Sequence, residues 1–143
     1  MTTIRVGGTI AAPPESIFAY VTDYKLAPLF IDGLQTLTPA GEPTSEAGAR
    51  FDAEMRIGPK SFQATIEIAA YEENRLVTWS ASSGEQRSLT FKLKADGLGT
   101  QVVLEISYER PGGLTGSLLA PIIEETVRSR AHASLRRLRD HMT

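Results

Sequence analysis

The chain has 143 residues, a formal net charge of −2 and no cysteine. This length suits one soluble domain that buries a core without covalent or metal support. The lack of cysteine excludes disulfides, thiolate zinc sites and cysteine nucleophiles, and the near-neutral charge predicts no nucleic-acid partner. The sequence shows no apolar run of membrane-spanning length and no pattern typical of a secretory signal, so we expect no membrane insertion and a cytoplasmic location.

The start of the chain predicts a strand followed by two short helices. Apolar residues alternate with small or polar ones over residues 4–10, which is the period of a half-buried strand. Pro13 and Pro14 favour the first turn of a helix, where a missing N–H costs little. This helix is expected to end near Asp23, and segment 24–33 predicts a second short helix or an irregular turn because a proline interrupts it.

The middle of the chain, residues 34–111, predicts an antiparallel sheet. Turn signals recur about every ten residues with stretches of strand length between them. Short strands joined by tight turns are typical of antiparallel pairing, because parallel strands need long crossovers. Alternating polarity indicates one wet outer face and one dry inner face. The larger apolar side chains predicted on the inner face include Phe51, Met55, Phe62, Ile66, Trp79, Phe91, Leu104 and Tyr108.

The C-terminal part predicts one long amphipathic helix. Apolar residues recur there at spacings of three and four as far as Met142. Pro121 indicates that regular helix either starts near Ala120 or is kinked. Because the sequence contains no linker and no repeat, residues 1–143 are predicted to form a single α+β domain in which a curved antiparallel sheet wraps around the helix.

Small residues on the inner face leave open whether the core is filled. Ala53, Ala64 and Ala70 lie among larger side chains there, and a twisted sheet around a single helix can leave a void. Such a void is more often a ligand site than empty space, because empty space forfeits dispersion contacts. The alternative is that Phe51, Phe62, Phe91 and Met55 simply close the core.

The sequence contains no convergent set of groups for acid–base or metal chemistry. His132 and His141 lie nine residues apart, roughly two and a half helical turns, so they project from opposite sides of the helix. The strand acids Glu54, Glu67 and Glu105 alternate with apolar residues and are expected to face water. Neither a Gly-x-Ser-x-Gly elbow nor a phosphate-binding loop is present. We therefore predict no catalytic residue, no metal site and no cofactor.

Two side chains with polar groups, Tyr108 and Arg130, are candidates for ligand contact, and Trp79 is a candidate by its position in the strand. Tyr108 shares the inner-face parity, so its hydroxyl is expected to reach the cavity or its mouth, as a ligand contact or a structural anchor. Arg130 lies on the apolar arc of the helix and either binds an acidic ligand group or extends to the edge. Trp79 shares parity with Val77 and is predicted to point inward, although Leu76 has the opposite parity.

Four segments resemble the START-like, or SRPBCC, superfamily, which contains polyketide cyclase/dehydrase-like proteins and lipid-transfer domains. They are TIAAPPESIFAYVTDY (9–24), GARF (48–51), DGLGTQVVLEISYERPGG (96–113) and LLAPIIEETVRSRAHASLRRLRDHM (118–142). The resemblance implies a helix-grip fold with about seven strands, two short helices after the first strand, and a deep pocket between sheet and helix. It also implies that Phe30, where many relatives place a tryptophan, is an aromatic wall of that pocket.

Together these features predict a protein that binds a small hydrophobic molecule of the lipid, polyketide or isoprenoid type, as a monomer or homodimer. Two alternatives stay open: a polyketide cyclase/dehydrase-type or hydrolytic enzyme that uses the same pocket, and a protein-interaction module. The residues predicted to bind the ligand are Phe30, Phe51, Met55, Ile66, Trp79, Phe91, Leu104, Tyr108, Leu119, Ile123, Val127 and Arg130.

Overall fold

The computed structural model describes residues 2–30, 33–57, 59–81, 86–108 and 113–142. Its strands, numbered in chain order, are β1 (Thr2–Ile10), β2 (Leu34–Pro39), β3 (Arg50–Ile57), β4 (Lys60–Glu72), β5 (Leu76–Ala81), β6 (Gln86–Asp96) and β7 (Gly99–Tyr108). Its helices are α1 (Pro14–Val21), α2 (Ala27–Phe30) and α3 (Gly113–Met142).

The strands form one seven-stranded antiparallel sheet in the order β1-β7-β6-β5-β4-β3-β2. From β2 to β7 each strand pairs with its neighbour in sequence, as expected for strands joined by short connections. β1 pairs with β7, so that Ile4 and Val6 lie opposite Ile106 and Leu104. The predicted helix-grip architecture, a curved antiparallel sheet with a long C-terminal helix and two short helices after the first strand, is confirmed.

The first short helix begins and ends where its sequence predicts. Pro14 lies in the first turn of α1, where the fixed φ of proline suits a helix. Phe18 and Val21 are buried and hold the apolar side of the helix on the core. The hydroxyl of Thr22 donates a hydrogen bond of 2.7 Å to the carbonyl of Phe18, and α1 ends there, close to the predicted end.

A register shift in the β4–β5 ladder corrects the predicted inner face. Ile68 lies opposite Trp79, but the next pair is Ala70 with Thr78, so β4 carries an extra residue between the two pairs. Because an extra residue reverses the alternation, Ala70 lies on the outer face, where Thr78 bonds the hydroxyl of Thr90 at 2.9 Å. The prediction that Ala70 belongs to the inner face is therefore wrong.

The last helix runs from Gly113 to Met142, as the sequence after Pro111 predicts. Pro121 lies inside it, so of the two alternatives at this proline, a helix that starts near Ala120 is excluded. One missing backbone hydrogen bond does not end a helix that packing holds in place. Leu135 and Leu138 in its C-terminal half are buried in the core.

A glycine in β1 lets this C-terminal half of α3 approach the sheet. A Cβ atom added to Gly8 would lie 2.5 Å from Nη2 of Arg139 and 3.5 Å from Cδ2 of Leu135. The close contacts of α3 are to β1, to β7 and to α2. The helix therefore rests on the side of the sheet formed by β1 and β7.

The outer face carries an ion-pair cluster centred on Glu105 of β7. Its Oε1 accepts a hydrogen bond from Lys92 Nζ at 2.9 Å and another from Arg5 Nε at 3.0 Å. The hydrogen bond from Lys92, assisted by that from Arg5, lowers the pKa of Glu105 below its usual range even though partial burial opposes the change. A carboxylate with a depressed pKa stabilises the folded state only while it is ionised.

Glu105→Gln is expected to lower the free energy of unfolding by about 1 kcal/mol at neutral pH, since both cations are largely solvent-exposed. Because the folded-state pKa is the lower one, the stabilisation is present above the ordinary glutamate range and is lost as the pH falls through the folded pKa. Urea unfolding at pH 7 and at about pH 3 should show the difference between the two proteins shrinking in acid. Glu54→Gln, which changes an exposed outer-face acid of β3, is the control. A Glu105→Gln effect that does not depend on pH would contradict the electrostatic origin.

Candidate ligand-binding site

One part of the inner face, which we call the closed part, consists of fully buried side chains. Phe51, Phe91 and Leu104 are 0% exposed, and Trp79 and Tyr108 are 4% and 3% exposed. A side chain without accessible surface touches only protein atoms, because any adjoining space that admits water would expose it. A ligand can therefore contact Phe51, Phe91 or Leu104 only when neighbouring side chains move. That these three residues bind the ligand stays a prediction.

Aromatic rings from several elements cover the closed part. The ring centroid of Phe51 lies 5.5 Å from that of Trp79 and 5.5 Å from that of Tyr24, in the segment between α1 and α2. Phe18 of α1 meets Tyr71 of β4 edge-to-face at 5.1 Å. These separations are typical of favourable aromatic pairs. The region around α1 therefore closes this end of the sheet.

A second part of the inner face, which we call the open part, consists of Met55 and Ile66 on the sheet and Ile123 and Val127 on α3. All four pack against the core but are only half-buried. Ile66 lies opposite Phe51 in the β3–β4 ladder, so the open part borders the closed part. Apolar surface therefore remains accessible on both the sheet and the helix, and a bound ligand would bury it.

Arg130 lies at the rim of the open part. It follows Val127 by three residues, so the two side chains lie on the same side of α3. A Cβ atom added to Gly33 would lie 3.6 Å from Nη1 of Arg130 and 4.0 Å from Cε of Met55. The carbonyl of Gly33 accepts a 2.7 Å hydrogen bond from the backbone N–H of Arg56, which holds this loop against β3. The Arg130 guanidinium and the end of the Met55 side chain therefore both lie close to Gly33, so a positive charge adjoins apolar side chains there.

The placement of α3 explains why the open part is not filled. The helix approaches β1 and β7 closely, and β3 and β4 lie towards the other edge of the sheet. Ala53 and Ala64 lie opposite each other in the β3–β4 ladder. Ala53 is buried in the core and Ala64 is half-buried, so of these two small side chains Ala64 is the one that leaves accessible surface on the inner face.

Two surface cavities lie beside these parts. One has a volume of about 680 Å³ and is bordered by α1, the segment after it, residues 44–45, Tyr71 and residues 73–74. The other has a volume of about 510 Å³ and follows α3, where it is lined by Pro121, Ile122, Glu125, Thr126, Ser129 and Arg130. Arg130 is the predicted ligand-binding residue that borders one of these cavities. Arg130 thus borders the surface cleft, while its Nη1 atom lies beside Gly33 on the side of Met55.

The two histidines of the chain, His132 and His141, lie outside this site. Among the described residues, no group of three or more histidine or acidic side chains is arranged to hold a metal ion. His132 is exposed on α3, as predicted. The ring of His141 stacks on Tyr20 of α1 at 5.8 Å, and burial raises the pKa of Tyr20. The residues that define the open part are apolar, and Arg130 supplies the charge at its rim.

The structure places the predicted residues in three groups. The closed part contains Phe51, Phe91, Leu104, Trp79 and Tyr108, while Met55, Ile66, Ile123, Val127 and Arg130 lie in or beside the open part. The side chains of Phe30 and Leu119 lie outside the described residues. Sequence reasoning did not identify Gly33, Tyr24 or Tyr71. A glycine between an apolar helix and a strand was the available signal for Gly33, whereas the position of Tyr71 follows from the register shift and has no sequence signal.

The fold is that of a helix-grip domain, and it leaves accessible apolar side chains on the sheet and on α3, with Arg130 beside them. A family model described as polyketide cyclase / dehydrase and lipid transport matches residues 1–143, and the chain belongs to this family. No curated protein matches the sequence. In the described part of the chain, none of the helices combines the length and apolarity needed to cross a bilayer.

Solved structures of other proteins share the fold. The crystal structure of TTHA0849 from Thermus thermophilus has a TM-score of 0.81 at 19% identity, over 99% of this chain and 97% of that one. The Zhui aromatase/cyclase from Streptomyces sp. R1128 has a TM-score of 0.76 at 15% identity, over 99% and 93%. The Aha1 dimer from Colwellia psychrerythraea has a TM-score of 0.69 at 16% identity, over 99% and 96%. At these identities the likeness establishes the fold alone, because one fold hosts many functions.

Proposed function

We propose that residues 1–143 act as one domain that binds a small hydrophobic molecule, of the lipid, polyketide or isoprenoid type, between the sheet and α3. The observation that carries the proposal is the half-buried state of apolar side chains on both surfaces, Met55 and Ile66 on the sheet and Ile123 and Val127 on the helix. A ligand that covers about 100 Å² of such surface gains about 2.5 kcal/mol.

The rim of the site gives the ligand an orientation. An apolar body would lie against Ile66 and Val127, and a carboxylate or other oxygen group at its end would lie beside Arg130. Hydrogen bonds to a guanidinium are stronger than those between neutral groups. This arrangement favours an amphipathic hydrophobic molecule over a pure hydrocarbon.

Titration with anilinonaphthalene sulfonate tests the proposal, because this probe joins apolar rings to an anionic group and fluoresces in apolar surroundings. We expect saturable fluorescence that dodecanoic acid displaces, and organic extraction of protein purified from its host should release a specific hydrophobic compound. A protein that unfolds cooperatively on heating, yet shows neither saturable fluorescence nor an extracted compound, would contradict the proposal.

Val127→Phe is expected to weaken binding of this probe about tenfold. The larger side chain occupies space in the open part, and the loss of roughly 60 Å² of ligand contact costs about 1.5 kcal/mol, which is about a factor of ten in Kd. Fluorescence titration gives the Kd of each variant, and competition with dodecanoic acid checks that the same site is measured.

His132→Phe is the matched control, because it adds the same ring at an exposed position of the same helix. Its Kd should equal that of the wild type. If Val127→Phe also bound the probe with wild-type affinity, the ligand would lie outside the open part.

Catalysis in the same pocket is a second candidate function, favoured by the family description, which names cyclases and dehydrases. Arg130 beside an apolar surface is able to polarise a ligand carbonyl, and holding a reactive chain in a folded shape can by itself accelerate a reaction. Mass spectrometry of a linear poly-β-ketone substrate mimic after incubation with the protein separates the two functions. A carrier returns the compound unchanged, whereas an enzyme converts it faster than buffer does.

A further inference from the structure

The one tryptophan of the chain carries a buried hydrogen-bond donor. Nε1 of Trp79 is buried, and no described residue accepts a hydrogen bond from it. The whole side chain is 4% exposed. Buried indole N–H groups usually have an acceptor, so the bare donor indicates that something else supplies one.

Trp79 borders the open part of the inner face. It lies opposite Ile68 in β4 and opposite Leu89 in β6, and both of these are buried. Ile66 precedes Ile68 by two residues and points to the same face, roughly 7 Å along the strand. The indole is therefore next to a half-buried residue that defines the open part.

The surroundings of the indole also argue against an ordered water as its permanent partner. The neighbours named above are aliphatic, and the ring centroid of Phe51 lies 5.5 Å away. A buried water needs two to four polar partners, and these apolar side chains provide none. An acceptor carried by a bound molecule has no such requirement, because the rest of that molecule is itself apolar.

We propose that the ligand carries a neutral oxygen acceptor, a ketone or hydroxyl oxygen, within its apolar body, and that Trp79 Nε1–H donates a hydrogen bond to it. Because this nitrogen is buried, a neighbouring side chain moves aside when the ligand enters. The oxygen is neutral because a buried anion needs a cation beside it, and the groups around the indole named above are uncharged. This inference rests on the proposed function and narrows it to oxygenated hydrophobic molecules, with Arg130 contacting a second polar group at the rim.

Two probes of the same shape test the hydrogen bond: acetylnaphthalene and isopropenylnaphthalene, substituted at the same ring position. They differ only by a C=O group in place of a C=CH₂ group. In ¹H–¹⁵N spectra the single indole N–H resonance should move downfield with the ketone and not with the alkene. An identical shift with both probes would overturn the proposal. If neither probe shifts any resonance of the folded protein, the proposed function fails together with the inference.

The variant Trp79→Phe supplies the second measurement. For each protein, the Kd of the alkene is divided by the Kd of the ketone. This ratio should be about ten times larger in the wild type than in Trp79→Phe. This double ratio cancels the different hydration of the probes. If both probes bind but the double ratio is one, Trp79 does not donate to the ligand although the site exists. The wild-type spectra decide alone if the variant fails to fold.

Discussion

Phe91→Ala is expected to lower the free energy of unfolding by about 3–5 kcal/mol, the range for removing a fully buried phenyl ring. Phe91 is 0% exposed and lies between Val77 and Leu104 in the sheet. Removing its ring takes away dispersion contacts on all sides, and a rigid sheet cannot collapse to fill the cavity. Urea unfolding followed by circular dichroism measures the change.

Phe62→Ala is the matched control, because Phe62 also faces inward, opposite Met55, but is 36% exposed. Its expected loss is smaller, about 2 kcal/mol, since the ring is partly exposed, buries less surface and leaves no closed cavity when removed. A Phe91→Ala effect as small as that of Phe62→Ala would show that the Phe91 ring adjoins space rather than protein. The assignment of Phe91 to the closed part would then be wrong.

Gly99→Ala is expected to cost about 2–3 kcal/mol through a steric clash with the backbone. A Cβ atom at Gly99 would lie 2.6 Å from the carbonyl oxygen of Ile10 and 3.6 Å from Cα of Ala11. These are main-chain atoms, so no side-chain rotation relieves the contact. The connection cannot shift easily either, because the Thr100 hydroxyl donates a 2.7 Å hydrogen bond to the carbonyl of Ala12. The midpoint of thermal unfolding should fall accordingly.

The same substitution at Gly7 provides the comparison. A Cβ atom there would lie 3.4 Å from the carbonyl oxygen of Val102 and 3.8 Å from Cγ2 of Val103, which are ordinary contacts. Gly7→Ala is therefore expected to change stability by less than about 1 kcal/mol, with reduced freedom of the unfolded chain acting in its favour. Equal losses at Gly7 and Gly99 would indicate a general cost of losing glycine from these strands rather than a clash.

Local patterns were sufficient to predict most of the architecture. Pro14 and the apolar residues after it predict α1 because a helix start has a specific chemistry. Alternation over Phe51, Ala53 and Met55 predicts which side of β3 is dry. Such patterns involve residues close together in sequence, so they can be interpreted without knowing which strands lie beside them.

At two places, contacts between distant segments decide what the local pattern does not. No glycine or proline marks the extra residue between Ile68 and Ala70. A prediction that continues the period of two past this point therefore assigns Ala70 to the wrong face. Pro121 is a strong local signal against helix, but α3 continues through it because the buried C-terminal half holds the helix on the core. Pairing and packing between distant segments overrode the local pattern in both cases.

By itself the sequence determined that one face of the sheet is dry and that a single amphipathic helix lies against it. Only the tertiary structure decided which inner side chains touch protein alone and which remain accessible. Phe51 and Met55 are apolar residues on the same face of one strand, yet one is fully buried and the other half-buried. The difference arises because Tyr24 and Trp79 cover Phe51 from elsewhere in the chain, while α3 rests on β1 and β7, away from Met55. Coverage depends on contacts between residues far apart in sequence, which no local period encodes.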